Sequence, residues 1–248
     1  MIARYLLVAL VAGLIAGGLV TVAQYAKVVP LILEAEKFEG GASEGHDHSA
    51  TLHLSFVSEA RAQQANDAAP AAEADATEEA GGMLFGVSRL TGTIIANLVT
   101  GCGLALLLVA ASLLTGVPIN LANGVLWGSA AWLAAQLIPA IGLRPELPGF
   151  PATDLADRQI WWTATVVLSA GGLYLLILRK EVWAKMTGLV ALVVPHVVGA
   201  PQPVDLSSNV PAVLAAEFAL AALATGLFFW VVIGLLIGTF AERLVKSA

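Results

Sequence analysis

Cysteine is nearly absent: Cys102 is the single one in 248 residues. That excludes an intrachain disulfide framework, a CxxC redox pair and a c-type haem attachment site. Its position inside an apolar run makes packing its expected role. Charge is also scarce, at 12% of residues, too little to cover the surface of a soluble domain of this size. The catalytic signatures are missing as well. There is no G-x-x-x-x-G-K-S/T phosphate loop, no H-E-x-x-H, no haem motif and no nucleophile paired with a base, so neither an ATPase nor a metal hydrolase can be read here. No enzyme is expected and no nucleic-acid partner.

What the chain has in abundance is apolar surface. Hydrophobic residues make up 58% of it and the mean hydropathy is +0.84, values that belong to an integral membrane protein whose solvent is the lipid bilayer. Acids outnumber bases 18 to 12, yet 11 of those acids lie between Glu34 and Glu79. The negative charge is therefore confined to one segment.

Apolar runs of about 20 residues, the length that crosses a hydrocarbon core, occur at roughly 3–26, 93–115, 119–139, 160–178, 182–199 and 212–240. The fifth is the weakest, because Lys185 shortens it at one end and Pro195 sits near the other; without it the count is five. The first run is longer than a signal-peptide core and no A-x-A site follows, so it is expected to remain as a helix. Bases cluster at Arg4, at Arg179, Lys180 and Lys185, and at Arg243 and Lys246. The positive-inside rule puts all three groups in the cytoplasm, which agrees with six crossings. The expected fold is thus an all-α integral membrane protein of about six transmembrane helices, with cytoplasmic N and C termini and a long acidic outer loop. It divides into a first helix at 1–26, an extracytoplasmic histidine-containing loop at 27–90 and a bundle of about five helices at 91–248.

Within the outer loop, Pro30 to Glu39 reads as a helix continuing past the membrane. The Ala- and acid-rich stretch 66–82 has no aromatic residue and is expected to be disordered. In the bundle, Gly13-xxx-Gly17 and Gly234-xxx-Gly238 have the small-residue spacing that lets helices approach closely.

Four histidines carry the metal argument. His46 and His48 flank Asp47, His53 follows, and Glu34 and Glu36 add carboxylates nearby; imidazole with carboxylate suits cobalt, nickel or zinc. Without thiolates or fixed spacing the loop specifies no tight structural zinc site, and a merely solvated polar loop is the competing reading. His196 lies beside Pro195, which removes a helix hydrogen bond. Glu217, about a turn and a half into the last run, is expected near the same depth and facing His196. A hydrogen-bonded structural histidine is the alternative. The amides Gln24, Asn97, Asn120, Asn123 and Gln136 are expected to link helices, with a path for ions as the second reading. Trp127, Trp132, Trp161, Trp162 and Trp183 fit interfacial anchoring.

Five segments in order, Pro30-Leu-Ile-Leu-Glu-Ala-Glu36, the H-D-H, Leu143-Arg-Pro-Glu-Leu-Pro-Gly149, Asp154-Leu-Ala-Asp-Arg-Gln-Ile-Trp-Trp162 and Pro195-His-Val-Val-Gly-Ala-Pro-Gln-Pro203, resemble the CbtA family of predicted cobalt transporter subunits across nearly the whole chain. The resemblance implies a bacterial inner-membrane protein that takes up cobalt for cobalamin synthesis, as substrate and not as cofactor. It implies a CbtB-like small membrane subunit as partner. A nickel transporter or a non-transporting accessory subunit remains open, since cobalt and nickel accept the same ligands.

Overall fold

The computed structural model describes residues 2–39 and 88–245, and among them all regular structure is helical. The elements are α1 (Ile2–Lys27), α2 (Val29–Glu39), α3 (Arg89–Thr115), α4 (Gly124–Trp132), a π-helical segment (Leu133–Leu137), α5 (Ile138–Ala140), α6 (Leu155–Leu178), α7 (Val182–Val198) and α8 (Ala212–Val245). Four helices are long and apolar enough to cross a membrane: Ala3–Lys27, Arg89–Thr115, Leu155–Leu178 and Ala212–Arg243. Two shorter apolar helices, Gly124–Ala140 and Val182–Val198, accompany them. At 1.5 Å per residue the shorter ones reach about 25 Å, slightly less than the roughly 30 Å of a hydrocarbon core. The segment 66–82 lies outside the described residues.

Local chemistry sets the boundaries. Pro30 has no N–H to continue the ladder from α1, and the break falls at Val28. The Ser88 hydroxyl accepts from the Thr91 N–H at 3.2 Å to cap α3, which ends at Gly116 in a left-handed conformation of φ 68°. Asp154 caps α6 by accepting from the N–H groups of Ala156 and Asp157 at 2.8 and 3.3 Å. The third apolar run becomes helical at 124, later than its hydropathy suggests. Asn120 and Asn123 accept from each other's backbone N–H, at 3.1 and 2.8 Å, and close a turn after Pro118. These two amides belong to a connection and do not link helices inside the bundle.

Three close helix pairs build the molecule. In the first, α1 and α3 run antiparallel with Gly13 against Gly101 and Gly17 against Asn97; a Cβ on Gly13 would come within 2.5 Å of the Gly101 carbonyl oxygen. In the second, Gly124 and Gly128 of α4 meet Gly234 and Trp230 of α8 in the same way. In the third, α6 and α7 meet at Gly172 and Gly188. Both sequence-expected glycine spacings therefore sit at backbone-to-backbone contacts, as association in lipid requires. Helix α1 also packs on α8, and Val8, Ala12, Ala16, Ala105, Leu108, Phe229, Ile233 and Ile237 fill the shared core. The α6–α7 pair joins through the π-helical segment and α5.

The bundle has two distinct ends. At one, Ile32 and Ala35 of α2, Leu147 of the α5–α6 connection and Val210, Leu214 and Phe218 form a second apolar cluster. At the other, the Glu242 carboxylate accepts from the Leu121 N–H at 3.2 Å, tying the foot of α8 to the α3–α4 turn.

Candidate translocation site

A cavity of about 400 Å³ lies between α1, α3, the π-helical segment, α6 and α8. It is lined at the α2 end by Arg144, Glu146, Leu155, Arg158 and Gln159, and inward by Gln24, Asn97, Thr100, Gln136 and Thr225, with Val20, Leu104 and Phe229 as apolar neighbours. Along α3 the lining runs from Asn97 to Leu104, about 12 to 22 Å from the start of that helix. The cavity thus penetrates to the middle of the bundle.

Its deepest polar element is a buried chain of hydrogen bonds. The Thr21 hydroxyl donates to the Gly17 carbonyl at 2.8 Å. Asn97 Nδ2 donates to Thr21 Oγ1 at 3.0 Å and to Gln24 Oε1 at 2.7 Å. Asn97 is only 5% exposed, and an unsatisfied amide at that depth would cost about 1–3 kcal/mol. Two of the expected helix-linking amides, Gln24 and Asn97, do link α1 to α3, and both also line the cavity.

Gln136 arrives by a different route. Pro139 lacks an N–H for the carbonyl one turn back, and the Ile138 N–H bonds to the Leu133 carbonyl in the wider π pattern. The bulge places Gln136 against α8, where its amide lies across Gly226. Its Oε1 is buried without a hydrogen-bond partner. Nearby the Trp132 indole donates to the Leu223 carbonyl at 3.1 Å.

The mouth carries charge. Arg158 Nη2 pairs with Glu146 Oε2 at 3.1 Å, the two side chains being 16% and 35% exposed. Arg144 beside them is exposed. In the connection before α8, Asp205 accepts from the Ser207 N–H and hydroxyl at 2.8 and 2.9 Å, which holds its carboxyl below the usual carboxylate range.

Those sequence-expected metal residues that the structure describes are dispersed. His46, Asp47, His48 and His53 lie outside the described residues. Glu34 is exposed and paired with Lys37 at 2.6 Å, while Glu36 meets Arg89 at 3.1 Å. His196 is half-buried, edge-on to Trp161 with ring centroids 6.0 Å apart, and its Nε2 has no hydrogen-bond partner. Glu217 is exposed on α8. Helix α7 packs on α6, whereas α8 packs on α1 and α4, so the two residues sit on helices with different main neighbours. Trp161 is buried and its indole donates to the Pro195 carbonyl at 3.2 Å, which braces α7 against α6. Among the described residues no three His, Cys, Asp or Glu side chains are grouped closely enough to hold a metal. The cavity offers amide and hydroxyl oxygens.

Sequence reading missed Thr100, Glu146, Arg158, Gln159 and Thr225 as lining residues. A signal did exist: the segments 143–149 and 154–162, noted for their resemblance, supply most of the mouth.

Residues 2–242 match the CbtA family, described as probable cobalt transporter subunit. The chain belongs to the CbtA family. No curated protein and no solved structure matches it. The family description makes a CbtA chain a probable subunit of a cobalt transporter, and the four long apolar helices fit a membrane protein.

Proposed function

We propose that this chain carries a divalent transition-metal cation, cobalt before nickel, across a bacterial inner membrane in support of cobalamin synthesis. The polar cavity between α1, α3 and α8 carries this reading, because it reaches mid-bundle in a helical membrane protein and presents neutral oxygens in succession. Weak sites in sequence let an ion enter and leave, where a tight one would trap it. The proposed topology has six crossings with both termini in the cytoplasm, so that the cavity mouth faces outward.

In this scheme His46, Asp47, His48 and His53, with Glu34 and Glu36, raise the cation concentration outside. His196 and Glu217 serve as further outer ligands, each from its own helix. A membrane potential of about 100 mV contributes about 2.3 kcal/mol per charge, or about 4.6 kcal/mol for a divalent ion, enough to drive uptake without nucleotide hydrolysis. A CbtB-like small membrane subunit is the proposed partner. Since the family is described as a subunit, a second reading is a non-transporting accessory role. Radioactive cobalt uptake by cells lacking other cobalt importers separates the two: uptake that requires this chain and falls with cavity substitutions supports transport, and uptake indifferent to those substitutions supports the accessory role.

A further inference from the structure

The geometry points to a recognition site for a hydrated divalent cation formed by Asn97, Thr225 and Gln136, in which neutral oxygens bind the ion through its water shell. This deepens the transport reading and rests on it for the identity of the cation.

Hydrogen-bond accounting fixes the polarity of the site. Because the Thr21 hydroxyl donates to Gly17, its oxygen can only accept from Asn97, which forces the amide nitrogen of Asn97 toward α1. Both hydrogens of that nitrogen are engaged by Thr21 and Gln24. Asn97 Oδ1 is left as the group offered to the cavity, with no donor to it among the described residues. Thr225 behaves alike: its hydroxyl donates to the Ala221 carbonyl at 2.8 Å, leaving lone pairs. Gln136 Oε1 on the facing segment has no donor either. The Trp132 indole, a donor close by, is already held by Leu223. The amide donors beside these acceptors are Gln24 Nε2, Gln136 Nε2 and, toward the mouth, Gln159 Nε2, and the Arg144 and Arg158 guanidinium groups stand at the mouth, Arg158 paired with Glu146.

The Asn97, Thr225 and Gln136 oxygens, each with a lone pair that no donor engages, complement water hydrogens polarised by a cation. Size agrees: six waters occupy about 180 Å³ at roughly 30 Å³ each, which fits within the cavity of about 400 Å³. Bare coordination would call for imidazole, thiolate or carboxylate at the same point, and no such group of three exists among the described residues.

The test is equilibrium binding of radioactive cobalt(II) to purified protein in lipid nanodiscs, with hexaamminecobalt(III) as competitor. That complex does not exchange its ligands, and its ammines imitate a water shell. Competition is expected. Affinity should fall about tenfold in Asn97→Leu and in Gln136→Met, comparable to one or two lost hydrogen bonds, and rise in Gln136→Glu, which adds charge without changing shape. The Gln136 pair carries the test alone if Asn97→Leu does not fold. Failure of the hexaammine to compete, or unchanged affinity in monodisperse Gln136 variants, overturns the site. Because binding is read without transport, absence of cobalt uptake with these binding results intact counts against the transport reading and leaves the site standing.

Discussion

The amide of Gln136 lies against Gly226 of α8, so closely that a Cβ at position 226 would overlap it. Gly226→Ala should therefore displace Gln136 without introducing any new polar group. Alanine raises helix propensity by about 1 kcal/mol over glycine, so the protein should remain folded while cobalt uptake falls. Removing Gln136 as well, in Gly226→Ala/Gln136→Ala, should add little to the loss. A double-mutant cycle on uptake rate checks the coupling.

The glycine contacts that join α1 to α3 predict a contrast along one helix. Gly13 faces the Gly101 and Cys102 backbone, whereas Gly18 meets nothing within 4 Å. Gly13→Leu should lower thermal stability or abolish expression, since overpacking typically costs about 1–3 kcal/mol or more where backbone cannot move. Gly18→Leu should be tolerated. Melting of detergent-solubilised protein followed by circular dichroism compares them.

At the mouth, Glu146 and Arg158 form an ion pair. Glu146→Gln removes negative charge next to a guanidinium on the path of a cation and should reduce cobalt uptake. Arg158→Gln in the same chain should recover part of it. The sign of the second change is the informative one: further loss would mean that the pair holds structure and does not tune the local potential.

Orientation is testable with cysteines. In a Cys102→Ser background, cysteine placed at exposed Asp205 should react with an impermeant maleimide added to intact spheroplasts. Cysteine at exposed Glu181, at the other end of α6 and α7, should react only after lysis. The opposite pattern would invert the proposed topology.

The helices were readable because a 20-residue apolar run is a local signal, and even the weak run around Met186 to Val198 forms helix α7. The glycine spacings were readable for the same reason. Asn97 and Gln24 were recognisable as amides within spans, but their bond bridges 73 positions, and which helices they join is a tertiary fact. The π-helical bulge at Gln136 breaks the 3.6-residue period by which a helix face is recognised in sequence. Glu146 and Arg158 are not legible in the sequence, because an ion pair made across a connection has no periodic mark. The sequence relates His196 to Glu217 by depth alone, and depth does not say which helices are neighbours.

The proposed transport moves a divalent cation down its electrical gradient. The direct measurement is accumulation of radioactive cobalt(II) in proteoliposomes holding the purified chain, alone and with its small partner, under a negative-inside potassium diffusion potential. Uptake that needs the chain, collapses when the potential is removed and falls in Gln136→Met is the predicted result. No uptake above empty liposomes with either preparation, from protein shown to be inserted and folded, would contradict it.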